Sequence, residues 1–162
     1  MNSDSKKLKY ITKPIFDDIK LFEEEFRNAL HSEVRMINMV GKYIIRHKGK
    51  HIRPILTILA SRLCGQPTVN SYRAAAMIEL LHVATLIHDD VVDDAKRRRG
   101  FPSVNRMWKN KVAVLMGDFI FSKTLINMIG LKDFSALELI ASTAEKLASG
   151  EILQIEKTLT KT

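Results

Sequence analysis

The stretch AAAMIELLHVATLIHDDVVDD, residues 74–94, decides the fold class. Its first part, to Ile87, is apolar almost all round, which is typical of a helix buried on every side. We therefore expect a long central helix. Asn70 or Ser71, just upstream, is expected to cap its N-terminus.

The rest of the chain has helical periodicity as well. Apolar residues three or four apart predict a helix over about 15–30, and further helices are expected over about 33–46, 53–65, 104–108, 111–129 and 135–159. The last of these opens with a capping-box pattern, Ser135 followed by Glu138. No segment shows sustained strand alternation. The prediction is an all-α single domain spanning residues 1–162.

Composition narrows the class of protein. The chain has 162 residues, 26 Lys plus Arg and 18 Asp plus Glu, so its formal net charge is +8. With 46% hydrophobic residues, disordered and collagen-like classes are excluded. The single cysteine, Cys64, suits a reducing compartment. We find no apolar run of about 18 residues and no apolar signal core, so we expect no transmembrane segment and a cytoplasmic location.

Four carboxylates crowd the end of the central helix. Asp89 lies over Asp93, and Asp90 over Asp94, because residues four apart share a helix face. They stand at the negative end of the helix dipole, which costs roughly 0.3–1 kcal/mol per charge. A divalent cation such as Mg²⁺ would compensate, since it prefers carboxylate oxygens. The alternative is a solvated acidic helix end.

His82 adds a polar group to the same face. At 100° per residue, His82 falls in one stripe with Asp89 and Asp93. Along the helix axis Asp89 lies about 10 Å beyond His82, and Asp93 lies about 6 Å beyond Asp89. A lone histidine in such a helix is more often a core residue than a ligand-binding one. His88 points away from this stripe, so we expect a structural role for it.

Basic residues surround the carboxylates. Between Lys96 and Lys111 there are seven Lys or Arg and no acid, and upstream Lys50 and Arg53 bracket the start of a predicted helix. Arginine forks match phosphate oxygens. A nucleic-acid surface is the alternative, but it would not favour carboxylates in its middle. The alternation of acid and base fits a metal–diphosphate site.

These residues together resemble the trans-isoprenyl (polyprenyl) diphosphate synthases, and most resemble the bacterial long-chain, octaprenyl-type members. Five signatures occur in order: Gly49-Lys50-x-x-Arg53-Pro54, Glu79-x-x-His82, Asp89-Asp90-x-x-Asp93 with Arg98-Arg99-Gly100, Gly117-Asp118, and Gly150-Glu151 with Gln154. The resemblance runs from about residue 49 to the end of the chain.

The resemblance implies a helical bundle, a homodimer and a Mg²⁺-dependent prenyltransferase that uses isopentenyl diphosphate and an allylic diphosphate. It implies that Asp89 and Asp93 hold the metal with Asp90 in support, and that Arg98 contacts the allylic diphosphate. It also assigns isopentenyl diphosphate to four residues: Lys50, Arg53, His82 and Arg99. No nucleic-acid partner is expected.

Product length in this family depends on the residues four and five before the first aspartate, here Thr85 and Ala84. A small Ala84 leaves the tunnel open, so we expect a long, octaprenyl-like product. The family's second aspartate-rich motif does not occur in these 162 residues. We therefore expect the N-terminal part of a longer bundle, inactive alone.

Two rival functions share parts of the pattern. An HD-type metal-dependent phosphohydrolase would use His88 and Asp89, but no other histidine has matching spacing. A non-catalytic basic helical module would be a nucleic-acid binder or a partner subunit.

Overall fold

The computed structural model describes residues 3–160, so residues 1, 2, 161 and 162 of the predicted domain lie outside it. The described part is almost entirely helical, which confirms the all-α prediction. Its helices are α1 (Ser3–Thr12), α2 (Phe16–Ala29), α3 (Arg35–Arg46), α4 (Ile52–Cys64), α5 (Val69–Val92), α6 (Val104–Gly130) and α7 (Phe134–Leu159), with a 3₁₀ turn at Lys13–Ile15.

Helix α5 is the centre of the bundle, as its sequence predicts. It packs against α6 along much of its length and also against α4 and α2. Ala75, Leu80 and Ala84 are at most 2% exposed, so the apolar part of α5 is enclosed on several sides. This burial fixes the helix end that carries the aspartates.

Two predicted helix caps were wrong. Helix α5 begins at Val69 with Thr68 at the N-cap, and the Ser71 hydroxyl accepts a hydrogen bond from the Thr68 N–H at 3.1 Å. Ser71 thus takes part in the cap from the third position of the helix, and it is not the N-cap residue. Helix α7 is capped by Asp133, whose carboxylate accepts from the Ala136 N–H at 3.0 Å. A carboxylate two residues upstream takes the place predicted for Ser135.

The two helices predicted over 104–108 and 111–129 form one element, α6, that is broken at Lys109. Lys109 has φ 70° and ψ 161°, which is not a helical conformation. The break separates the first turn of α6 from the long segment that packs on α5.

A short hairpin was not predicted. Strands β1 (Arg97–Arg98) and β2 (Phe101–Pro102) pair antiparallel, with Arg97 opposite Pro102. Arg99 and Gly100 form the turn between them with φ 53° and 84°. Positive φ at both turn residues is typical of the two-residue turns that match strand twist. Two-residue strands are too short to show alternation.

Helix α6 meets the length and composition of a membrane span, with mean hydropathy 1.5 over its most apolar 18-residue window. The expected absence of a transmembrane segment rested on a different measure and stays a prediction. That measure counted uninterrupted apolar runs, whereas in α6 the apolar residues are interrupted by Gly117, Asp118, Lys123 and Thr124. Core helices also meet this criterion, and α6 buries Ala113, Met116 and Ile120.

Candidate active site

The aspartates lie where α5 ends. Asp93 is the C-cap, and its N–H donates to the Asp89 carbonyl at 2.8 Å. Asp89 is half-buried and Asp93 is exposed. Burial raises the pKa of Asp89 above its ordinary value, and the carboxylate of Glu151 on α7 adds to this more than Asp93 does, while Arg98 opposes it. Negative charge therefore accumulates at Asp89 from two helices.

Asp90 has a different role from its neighbour. Its side chain is 4% exposed and accepts from Arg98 in a forked pair, with Nε 2.9 and 3.0 Å from the two oxygens and Nη2 2.8 Å from Oδ1. The Asp90 carbonyl accepts from Asn105 Nδ2 at 3.0 Å. Both carboxylate oxygens are thus engaged by one arginine. Arg98 keeps three N–H donors for a phosphate.

The donor set fits Mg²⁺. Neither Asp89 nor Asp93 forms an ion pair among residues 3–160, so both carboxylates are available. Within the described part no group of three or more acidic, His or Cys side chains is arranged to hold a metal alone. Mg²⁺ commonly takes one or two carboxylates and completes its shell with water and substrate phosphates. Two aspartates one turn apart match that mode.

The basic side chains predicted to bind a diphosphate come together. An open pocket is lined by Lys50, Arg53, His82 and Arg99, with Glu79 among its walls. Burial, with Arg53, Arg99 and Arg98 nearby, lowers the pKa of His82 to about 4. His82 is therefore neutral at pH 7 and offers one N–H donor. These four residues bring three cations together beside the buried Glu79.

The Gly49 position lets Arg99 reach this pocket. A Cβ at Gly49 would overlap the Arg99 guanidinium, at 2.5 Å from its Cζ. The guanidinium therefore lies against the backbone of the loop before α4. A side chain at residue 49 would displace it, which explains why glycine precedes Lys50 here.

The burial of His51 was not predicted from the sequence. It is the N-cap of α4 with φ 50°, and its ring is 8% exposed beside Phe22 and Phe26. Its Nε2 lies 3.9 Å from Glu79 Oε1, too far for a hydrogen bond. Burial lowers the pKa of His51 to about 4, and the positive charge of Lys48 contributes to this. Burial also raises the pKa of Glu79. Nothing in a polar loop sequence indicates such burial.

His88 lies outside the aspartate stripe, as the helical geometry predicts. Its Nε2 is 3.2 Å from the Val114 carbonyl and 3.3 Å from Asp118 Oδ1, both on α6. A Cβ at Gly117 would overlap this ring, at 2.6 Å from its Cδ2. Gly117 thus leaves room for the His88 ring. Within residues 3–160 no group of three or more His, Cys, Asp or Glu side chains is arranged to hold a metal, as an HD-type hydrolase would need.

The predicted chain-length residues lie one to two turns before the aspartates. Ala84 is 2% exposed in the core, and Thr85 is half-buried with its hydroxyl donating to the His82 carbonyl at 2.8 Å. Neither lines the basic pocket.

The amino-acid sequence matches a known family over most of its length. Residues 34–162 match the sequence model of the Polyprenyl synthetase family. The chain is 39% identical to the all-trans-nonaprenyl-diphosphate synthase (geranyl-diphosphate specific) of Rhodobacter capsulatus, over 90% of this chain and 45% of that protein. It is 40% identical to the octaprenyl diphosphate synthase of Escherichia coli, over 78% and 39% respectively.

Solved structures give the same result. A decaprenyl diphosphate synthase from Rhodobacter capsulatus superposes with a TM-score of 0.86 at 34% identity, covering 92% of this chain and 46% of that one. A polyprenyl synthase from Caulobacter crescentus, complexed with calcium and isoprenyl diphosphate, gives 0.86 at 32%, covering 91% and 45%. The chain thus spans less than half the length of these relatives. The chain belongs to the polyprenyl synthetase family.

Proposed function

We propose that this chain supplies the diphosphate-binding face of a prenyltransferase that elongates an allylic diphosphate with isopentenyl diphosphate. The observation that carries the proposal is that α5, with its C-cap, bears both the two available carboxylates, Asp89 and Asp93, and His82, which lines a pocket with three cations from other segments: Lys50, Arg53 and Arg99. The carboxylates suit a diphosphate substrate that is bound through a metal ion, and the basic pocket suits a second diphosphate that is bound without one. The whole protein's activity is part of this proposal, because the chain covers only part of its relatives.

Asp89 and Asp93 are the residues that would hold Mg²⁺. Bound there, the ion supplies charge neutralisation to a departing diphosphate. Asp90 supports the site indirectly because it fixes Arg98. The free N–H groups of Arg98 then face the same leaving group and stabilise its developing charge.

The second diphosphate belongs in the pocket of Lys50, Arg53, His82 and Arg99. These groups hold isopentenyl diphosphate with its double bond toward the allylic carbon. The allylic C–O bond breaks with its electron pair going to the diphosphate oxygen, the double bond forms the new C–C bond, and an oxygen of the departed diphosphate accepts the proton lost from the adjacent carbon. The protein contributes orientation, leaving-group electrostatics and exclusion of water.

We also propose an octaprenyl-like product. The resemblance places the growing chain beside the residues before Asp89, and the small side chains of Ala84 and Thr85 at these positions favour a long product. Relatives are named as heptaprenyl, octaprenyl and nonaprenyl synthases, so their names span this range. Product analysis by mass spectrometry tests the assignment, and a product shorter than heptaprenyl would contradict it. The homodimer and the cytoplasmic location stay predictions.

The test of the activity is Asp89→Ala in a protein that carries the complete fold, assayed with labelled isopentenyl diphosphate, an allylic diphosphate and Mg²⁺. We expect Mg²⁺-dependent condensation to be abolished, and Asp94→Ala to serve as the control at the same helix end. Near-intact activity of Asp89→Ala would overturn the metal assignment. The 162-residue chain alone is expected to show no turnover, and robust condensation by it would contradict that expectation.

A further inference from the structure

We propose that Tyr43 is a positioning residue that holds the β1–β2 hairpin, and with it Arg99, over the diphosphate pocket. The proposal rests on the function proposed above, because it concerns the same pocket. It assigns a role to a side chain that does not itself line the open pocket of Lys50, Arg53, His82 and Arg99.

A hydrogen bond ties α3 to the hairpin. Tyr43 Oη donates to the Pro102 carbonyl at 2.7 Å, although the two residues are 59 positions apart in the chain. Pro102 pairs with Arg97 across the hairpin, so the bond acts on the strand next to the arginines. One hydroxyl therefore fixes the outer strand relative to α3.

Aromatic rings surround this bond. The ring of His47 lies 4.2 Å from that of Tyr43 and 4.1 Å from that of Phe101, and Trp108 meets Tyr43 edge-on at 5.1 Å. The end of α3, strand β2 and the first turn of α6 thus meet at Tyr43. We call Tyr43, His47, Phe101 and Trp108 the aromatic latch.

The hairpin needs this attachment because little packs beneath it. A cavity of about 80 Å³ lies behind it, lined by Tyr43, His47, His82, Arg98 and Phe101 among others. That space is large enough for a few water molecules. On one side the hairpin is anchored by the pair of Arg98 with Asp90, and on the other by the latch.

Arg99 depends on these two anchors. It sits in the turn with φ 53°, and among residues 3–160 it forms no ion pair. Its guanidinium lies against Gly49 in the pocket wall. If the outer strand shifts, Arg99 moves with it, while the core contacts of α5 stay unchanged. The hydroxyl of Tyr43 therefore acts on binding more than on unfolding.

The test compares two tyrosines that each donate a 2.7 Å hydrogen bond. Tyr43→Phe removes the bond to Pro102, and Tyr72→Phe removes the bond to Asp18, far from the pocket along α5. Binding of isopentenyl diphosphate and of inorganic pyrophosphate is measured by calorimetry, with thermal unfolding of each variant. We expect Tyr43→Phe to raise Kd by about three- to ten-fold, the worth of one hydrogen bond, with an unchanged thermal midpoint. Tyr72→Phe should lower the midpoint and keep the wild-type Kd.

A spectroscopic signature separates positioning from general stability. Trp108 is the only tryptophan of the chain and belongs to the latch, so its emission and its quenching by acrylamide report on the hairpin directly. Tyr43→Phe should increase quenching, whereas Tyr72→Phe should not.

Lys50→Ala distinguishes the two possible failures. If it weakens diphosphate binding while Tyr43→Phe binds like the wild type, the positioning role is wrong and the proposed function stands. A wild-type Kd and quenching in Tyr43→Phe, together with a lower midpoint, would mark the tyrosine as merely structural and overturn the proposal. If the wild-type chain binds neither diphosphate, the proposed function fails and the positioning role falls with it.

Discussion

Two buried aspartates in this molecule are each held by an arginine, at opposite ends of α5. Asp18 accepts from Arg62 Nε and from Tyr72 Oη, both at 2.7 Å, and Asp90 accepts twice from Arg98. The aspartates are 4% and 3% exposed. The partners of their carboxylates differ, because the Asp18 carboxylate joins α2 to α4 and α5, whereas the Asp90 carboxylate joins α5 to a hairpin eight residues away.

The difference shows how similar chemistry serves stability in one place and a binding site in another. Each oxygen of Asp18 is engaged by a different helix, so the carboxylate braces the bundle. Burial alone raises the pKa of Asp18, but hydrogen bonds from Arg62 and Tyr72 outweigh it and lower the pKa below its ordinary value. Asp90 instead holds one arginine beside the proposed diphosphate site and leaves that arginine with free N–H donors.

The largest expected effect is the loss of stability on substitution of Asp18. Asp18→Ala removes two hydrogen bonds to a charged group and should lower the free energy of unfolding by about 3 kcal/mol, measured by urea denaturation. Its neighbour provides the control, since the Asp17 side chain is 90% exposed and pairs with Lys20 on the surface. Asp17→Ala should change stability by less than about 0.5 kcal/mol. Equal losses would show that Asp18 does not brace the bundle.

On the other side, Asp90→Asn should act on binding. It weakens the hold on Arg98 beside Asp89, and removing such a supporting partner typically lowers metal affinity or activity about 10- to 100-fold. Calorimetry with pyrophosphate and Mg²⁺ measures the effect. Asp94→Asn, exposed at the same helix end, is the control and should bind as the wild type does. A purely structural Asp90 would lower stability and leave the affinity unchanged.

Gly49→Ala tests the pocket wall itself. The new Cβ would overlap the Arg99 guanidinium, which is the mobile end of its side chain, so we expect about a five-fold weaker affinity for pyrophosphate at little cost in stability. Gly150 is the control, because among the described residues no atom lies within 4 Å of the place that a Cβ would take there. Gly150→Ala should stabilise α7 by about 0.5–1 kcal/mol and keep the wild-type affinity. Unchanged affinity in Gly49→Ala would remove Arg99 from the pocket.

The smallest effect is a pH dependence confined to the pocket end. Burial lowers the pKa of His51 to about 4, with Lys48 and Arg99 adding to this and Glu23 opposing it. Below about pH 6.5 the unfolded chain therefore takes up a proton that the folded chain does not, and stability falls as the pH falls toward 4. Asp18 contributes stability above its ordinary pKa of 3.8 and loses it only as the pH drops below that.

The measurement compares unfolding at pH 7 and pH 6. One buried histidine should account for about 0.7 kcal/mol of the loss over this step. His51→Asn keeps a residue that tolerates positive φ and should show a correspondingly smaller loss. His31→Asn, on the surface, is the control. An identical loss in His51→Asn would assign the dependence to other groups.

Helical periodicity was enough to predict the central helix and the face it gives to Asp89 and Asp93, because the spacing of residues on a helix is fixed. It also placed His88 away from that face. Caps were less predictable, since Thr68 and Asp133 replaced the expected residues by small shifts of the first turn.

The contacts that depend on the hairpin could not be predicted. Strand β1, which carries Arg98, pairs with β2 through a turn in which Arg99 and Gly100 adopt positive φ, and nothing in two-residue strands indicates this in the sequence. The burial of His51 likewise depends on Phe22 and Phe26 arriving from α2. In both cases the contact depends on how separate segments pack against each other, which local sequence patterns do not specify.

Helix α7 has a consequence for how the acidic cluster behaves in time. None of its side chains is buried, whereas α5 is buried along much of its length. Amide hydrogens of α5 should therefore exchange with solvent only on global unfolding, and those of α7 through local opening. Glu151, which adds negative charge at Asp89, lies on α7, the helix expected to exchange faster. In the 162-residue chain the electrostatic field at Asp89 is thus set partly by a carboxylate on the less buried of the two helices.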